Sequence, residues 1–258
     1  MRRMIRVILP LARATLLEAA RSRLLWLAAI LCVLCLGLAG FIQQVAIIEA
    51  PRIQAAILAA ILRAAAAFLT AAFVTMSIVR EYDDKVFELM LAQPWPRGVY
   101  LAGKFVGFST AAVALAVIVS LPLLPFVPLE RLGAWSLSLG CELVIVAAMS
   151  LFCVITLAQI VPALAAVLGF YVLARSIGAM QIIAAASDAP GTWAERAADW
   201  VLRGIALVLP RFDLMTRADW LVVAMPAPAA LAGVVAQAAA YAVLLMAAAQ
   251  FDLHRQNF

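Results

Sequence analysis

The sequence predicts an all-α membrane protein with six transmembrane helices, and three observations predict it. First, 67% of the 258 residues are hydrophobic and 13% are charged, where soluble domains run at roughly half and a quarter. Second, the mean hydropathy is +1.09, and no soluble core of this length hides so much apolar side chain from water. Third, the apolar residues gather into six runs, each near the length of about 20 residues that a helix needs to cross a bilayer. The chain length accommodates one domain, residues 1–258.

Taken in order, residues 1–23 set Arg2, Arg3, Arg6, Arg13, Arg21 and Arg23 beside Ile5, Ile8, Ala12 and Leu16 at helical spacing. That pattern predicts an N-terminal interfacial helix on an anionic leaflet, kinked at Pro10, before the chain turns inward as a retained signal-anchor. The first span is Leu24–Ala46, followed by a short polar link with Glu49, Pro51 and Arg52. The second, Ile53–Val79, contains Arg63, and residues 80–104 form the most polar stretch of the chain. The third span, Phe105–Val127, closes on LPLLPFVP, with Glu130 and Arg131 in the next turn. Ala134–Ala158 and Ala163–Ala186 are the fourth and fifth. Only Gln159 and Pro162 mark the join, which reads as an antiparallel hairpin or, through the proline, as a re-entrant pair. The sixth span is Ala229–Phe251.

Lys and Arg orient the chain. With the N-terminus inside, eleven of nineteen lie on the cytoplasmic side, six outside and two within spans, which places both termini in the cytoplasm. Residues 188–228 are then an outer segment, broken by Pro190, Pro210, Pro226 and Pro228. Trp193 and Trp200 are seven apart, as are Arg196 and Arg203, and seven residues is about two helical turns. Aromatic rings at headgroup level with arginines toward water describe an amphipathic segment. It either closes the bundle or acts as a gate over an outward opening.

Several chemistries are set aside. His254 is the sole histidine, so a histidine-based metal centre is excluded. Cys32-x-x-Cys35 lies inside a span without a second pair and reads as small buried hydrophobes. An intramembrane enzyme would need a histidine cluster, G-x-S-x-G or paired acids at depth, and the sequence has none. The basic arm lacks the aromatic-basic groove of a nucleic-acid binder. Gly98-V-Y-L-A-Gly103-Lys104 matches the start of a P-loop, but Phe105 follows where Ser or Thr must hold magnesium.

Residues 80–104 read REYDDKVFELMLAQPWPRGVYLAGK. Arg80, Glu81, Asp83, Asp84, Lys85 and Glu88 concentrate charge at the start, and Phe87, Met90 and Leu91 give an apolar face at helical spacing. Pro94 and Pro96 end any helix, before Arg97 and Lys104. The physics permits a partner-docking amphipathic helix or an ordinary solvated loop. The stretch resembles the signature of the type 2 ABC export permeases, roughly R-E…G-T-x-E-x-L-L-x-x-P-x-x-R followed by a glycine-lysine pair. Arg80-Glu81, Glu88, Leu89, Leu91, Pro94, Arg97 and Gly103-Lys104 fall at the matching places, while Lys85-Val86 stands where the family carries Gly-Thr.

That resemblance implies a permease subunit of an ATP-driven exporter in the inner membrane, with residues 80–104 as a cytoplasmic coupling helix docked on a separate ABC ATPase. It implies that Glu81, Asp84, Phe87 and Glu88 order the ATPase interface and Pro94 ends the helix. Arg97 and Lys104 would anchor at headgroups or pair with acidic neighbours. ATP and magnesium would reside on the ATPase, with no cofactor on this chain, and a second permease copy would complete a dimer among the membrane lipids. A scaffold subunit of a membrane complex, needing no coupling helix, is the alternative.

Three charges interrupt the spans. Arg63, Glu142 and Arg175 lie roughly 15, 12 and 18 Å from the starts of their spans, near the middle of a hydrocarbon core about 30 Å thick. Charges at that depth pair or line a wet cavity. Glu142 is expected to pair with Arg63 or Arg175, either as a structural tie or along a transport route. Gly103-x-x-x-Gly107, Gly37-x-x-Gly40 and Ala64–Ala67 permit close helix approach, in a chain so rich in alanine that chance matches are common.

Overall fold

The computed structural model describes residues 2–45, 50–84, 97–185, 193, 200–201, 204–205 and 208–255, and among these every regular element is helical. Helix α1 is Arg2–Arg21, α2 is Leu24–Val45 and α3 is Ala50–Asp83. Helix α4 is Arg97–Ser120, α5 is Leu129–Leu157 and α6 is Ile160–Ala185. A 3-10 turn at Phe212–Leu214 and the short α7, Asp219–Val222, precede α8, Pro228–Arg255. Six of these helices are long and apolar enough to cross a membrane, so the chain is a multi-pass membrane protein.

Helix α5 is the centre. Its most apolar window is 72% buried, against 17% for α2 and 22% for α8, and it touches α3, α4, α6 and α8. Apolar residues run all round it, and a helix without a polar face is stable only when surrounded. Trp135, Leu139 and Leu143 are fully buried along it. The outer helices α2 and α8 leave apolar side chains such as Val33, Leu34 and Val243 exposed in this chain, as a lipid solvent allows.

Boundaries depart from the sequence reading where packing overrides hydropathy. The third crossing begins near Gly98 rather than at Phe105, because Val99, Tyr100 and Leu101 are buried and extend the helix backward. The P-loop-like run therefore lies in the first turns of α4. Helix α1 runs continuously through Pro10. Its buried Ala12, Thr15 and Ala19 recur every three to four residues and give one packed face.

The hairpin between α5 and α6 turns at Ala158, whose φ of 51° is left-handed and whose N–H donates to the Val154 carbonyl at 2.9 Å. Alanine is small enough to hold this geometry at modest cost. Pro162 falls in the first turn of α6, where a missing N–H breaks no helical bond. The 29 residues of α5 and 26 of α6 extend about 44 and 39 Å, so each is long enough to cross by itself.

Candidate functional site

Arg63, Glu142 and Arg175 come from α3, α5 and α6, and the fold gathers them around one residue that carries no charge. Thr216 sits in the chain after α6, is fully buried, and has φ 45°. A β-branched residue in that region is strained by roughly 1–3 kcal/mol and persists only where its surroundings hold it. Here every polar atom of Thr216 is engaged. Its N–H donates to Ser138 Oγ at 2.9 Å, and its hydroxyl donates to Glu142 Oε2. Its carbonyl accepts from Arg63 Nη1 at 3.1 Å.

Glu142 itself is fully buried. Besides Thr216 it accepts the Tyr171 hydroxyl at 2.8 Å, and Arg175 Nη1 stands 3.8 Å from its second oxygen. Arg175 Nη1 also donates to the Phe212 carbonyl, to the Met215 carbonyl at 3.0 Å and to Thr216 Oγ1 at 3.3 Å. So the carboxylate pairs with Arg175 directly and with Arg63 only through Thr216. Arg63 Nε is buried without a hydrogen-bond partner. With two guanidinium groups around one carboxylate, the cluster ties residues 212–216 into the bundle as a latch. The Tyr171 ring also packs against that of Phe212, with centroids 5.6 Å apart.

The sequence named the three charges but not Thr216, Ser138 or Tyr171. A tyrosine in mid-span needs a partner for its hydroxyl, which is a usable signal. A threonine and a serine carry none. Trp193 and Trp200 are exposed, while Arg196 and Arg203 lie outside the described residues.

Gly178, one turn beyond Arg175, lets the latch segment approach α6. A Cβ there would lie 2.5 Å from Asp213 Oδ2 and 2.9 Å from Asp213 Cβ. Gly178→Val is expected to push residues 212–216 off the cluster and cost about 1–3 kcal/mol, read as a lower unfolding midpoint in detergent. Adding Asp213→Ala should recover part of the loss, because the obstructing atoms belong to that side chain. No recovery would place the obstruction elsewhere.

A second polar cluster ties α3 to α4 at the ends flanking residues 85–96. Glu81 accepts hydrogen bonds from Lys104 Nζ and the Tyr100 hydroxyl. The Lys104 side chain is 8% exposed and that of Glu81 18%. Lys104 also lies 5.7 Å from the centre of the Phe108 ring, a cation–π distance. Lys104 therefore has an acidic neighbour, one of the two roles expected of it. Nearby, Ser77 Oγ donates to Glu18 Oε1 at 2.7 Å, linking α3 to α1. Asp84 is exposed just past α3, and Arg97 opens α4. Phe87, Glu88 and Pro94 lie outside the described residues.

Two glycines bring α1 against α4. A Cβ on Gly103 would meet Leu11 Cβ at 3.0 Å, and one on Gly107 would meet Thr15 Cβ at 2.6 Å. The small-xxx-small pattern therefore serves a contact within the chain. Gly37 and Gly40 face nothing within 4 Å. Among the described residues no group of three His, Cys, Asp or Glu could hold a metal ion, and the four cysteines are free. Against known proteins, no family model matches the chain and no curated protein matches it.

Proposed function

We propose that the protein is the membrane permease subunit of an ATP-driven exporter, similar to the type 2 ABC permeases. A separate cytoplasmic ATPase would supply the energy and residues 80–104 the coupling contact. The observation that carries this reading is the tie from Glu81 to Lys104 and Tyr100, two ends of the resembling motif held together by one carboxylate. Residues 85–96 connect, in sequence, two helices that this carboxylate joins. A push on that segment would reach α3 and α4 together, and α1 through the Gly103 and Gly107 contacts, as force transmission requires.

In this reading the protein sits in the inner membrane with both termini cytoplasmic, as the Lys and Arg bias favours. A second permease copy rests on the resemblance alone. The latch around Thr216 would serve either as a structural tie or along the transport route, and the outer segment would either close the bundle or act as a gate.

The test is to purify the full chain with its membrane partners and assay ATP hydrolysis. An ATPase should co-purify, and Glu88→Ala should weaken its attachment. Loss of one interface hot spot, about 2 kcal/mol, corresponds to roughly thirtyfold. ATP turnover that ignores Glu88→Ala, or a complex without ATPase, would favour the scaffold reading.

A further inference from the structure

Between the elbow joining α1 to α2 and the last turns of α3 lies a cleft of ≈ 850 Å³. Arg21, Arg23 and Arg80 stand at its mouth, all exposed. None of the three forms an ion pair among the described residues. Glu18 is the one acidic residue in the lining and is engaged by Ser77, so three cations against one carboxylate leave an excess of two positive charges. The rest of the lining is largely apolar: Leu24 and Leu27 on α2, and Phe68, Phe73 and Met76 on α3.

The length of the cleft selects its occupant. Arg80 and Phe68 are twelve residues apart on α3, about 18 Å along the helix. That is a little over half of a hydrocarbon core about 30 Å thick. The cleft is therefore charged at the membrane surface, apolar below, and one leaflet deep. A transmembrane helix would need a slot through both leaflets, and a free anion would need no apolar walls.

We propose that this cleft binds one anionic phospholipid of the arm-side leaflet. Its phosphate lies among Arg21, Arg23 and Arg80 and its acyl chains along Phe68, Phe73 and Met76. Guanidinium groups suit this task because their planar forks donate to two phosphate oxygens at once. Basic pockets between spans are the usual form of anionic headgroup recognition. The bound lipid would join the arm to α3 beside the Glu18–Ser77 contact. The site needs only the six spans and a bilayer, so it stands apart from the exporter reading.

The test is native mass spectrometry of the purified full chain, released from micelles containing phosphatidylglycerol and phosphatidylcholine with matched acyl chains. One phosphatidylglycerol per chain should be retained in preference to phosphatidylcholine. The triple variant Arg21→Gln, Arg23→Gln, Arg80→Gln should lower that affinity on the order of a hundredfold. Arg255→Gln, an exposed arginine outside the cleft, should leave it unchanged. Met76→Trp, which fills the slot and keeps every charge, should also lose the lipid. Glycerol phosphate, a headgroup without chains, should not displace it. Equal retention of phosphatidylcholine, an Arg255→Gln effect as large as the triple, or displacement by glycerol phosphate would each overturn the assignment. Unfolding midpoints without added lipid verify that each variant is folded.

Discussion

Glu142→Gln is expected to destabilise the folded chain by about 3 kcal/mol, the lower end of the 3–5 kcal/mol typical when one member of a buried ion pair is removed. The lower end applies because the Arg175 side chain is 23% exposed and partly screened. Glutamine keeps the shape and one acceptor oxygen. It loses the charge opposite Arg175, and its amide nitrogen presents a donor to one of the two hydroxyls, Tyr171 or Thr216, from which the carboxylate accepted. A donor facing a hydroxyl donor leaves a buried group unsatisfied, which adds to the cost. Unfolding of purified protein in mixed micelles measures it. In a double-mutant cycle, Glu142→Gln with Arg175→Gln should lose less than the two single losses combined. Strict additivity would mean that the 3.8 Å pair carries no coupling. If Glu142→Gln matched the parent in both stability and transport, the cluster would be neither a tie nor part of a route.

Gly107→Val is expected to displace the N-terminal arm. The added side chain would begin 2.6 Å from Thr15 Cβ and 3.0 Å from the Ala12 carbonyl. One of those obstacles is backbone, so rotamer changes cannot relieve the overlap. Overpacking of this kind costs about 1–3 kcal/mol, and more where a helix must move. The readout is trypsin cleavage at the arginines of α1, which should accelerate as α1 leaves α4. Gly37→Ala supplies the contrast: among the described residues, no atom beyond its chain neighbours and its own helix backbone lies within 4 Å of its Cβ position, and alanine favours a helix by up to about 1 kcal/mol. Unchanged protection of α1 in Gly107→Val would show that something other than the Gly103 and Gly107 contacts holds the arm.

These two sites show how far the sequence carries. Hydropathy is a local property, so the six spans were legible to within a few residues. Their limits failed where a polar residue belongs to the helix for a distant reason. Tyr100 and Lys104 lie inside the third crossing because Glu81, 23 residues before Lys104, receives both. The intramembrane charges were equally legible, since a charge in hydrocarbon demands compensation wherever it lies. What compensates it was not. Thr216 is 74 residues from Glu142 and looks like any threonine in a loop.

The sequence alone determined that this chain leaves water, how many times it can cross, and which three side chains cannot be left unpaired in lipid. Each follows from the transfer energy of a short stretch or a single group, which does not depend on its neighbours. The tertiary structure decided that α5 is the centre, that Gly103 and Gly107 receive α1, and that Arg63 reaches Glu142 only through Thr216. Those are questions of which helix face meets which. In a chain whose apolar faces are nearly interchangeable, shape and a few buried hydrogen bonds settle them.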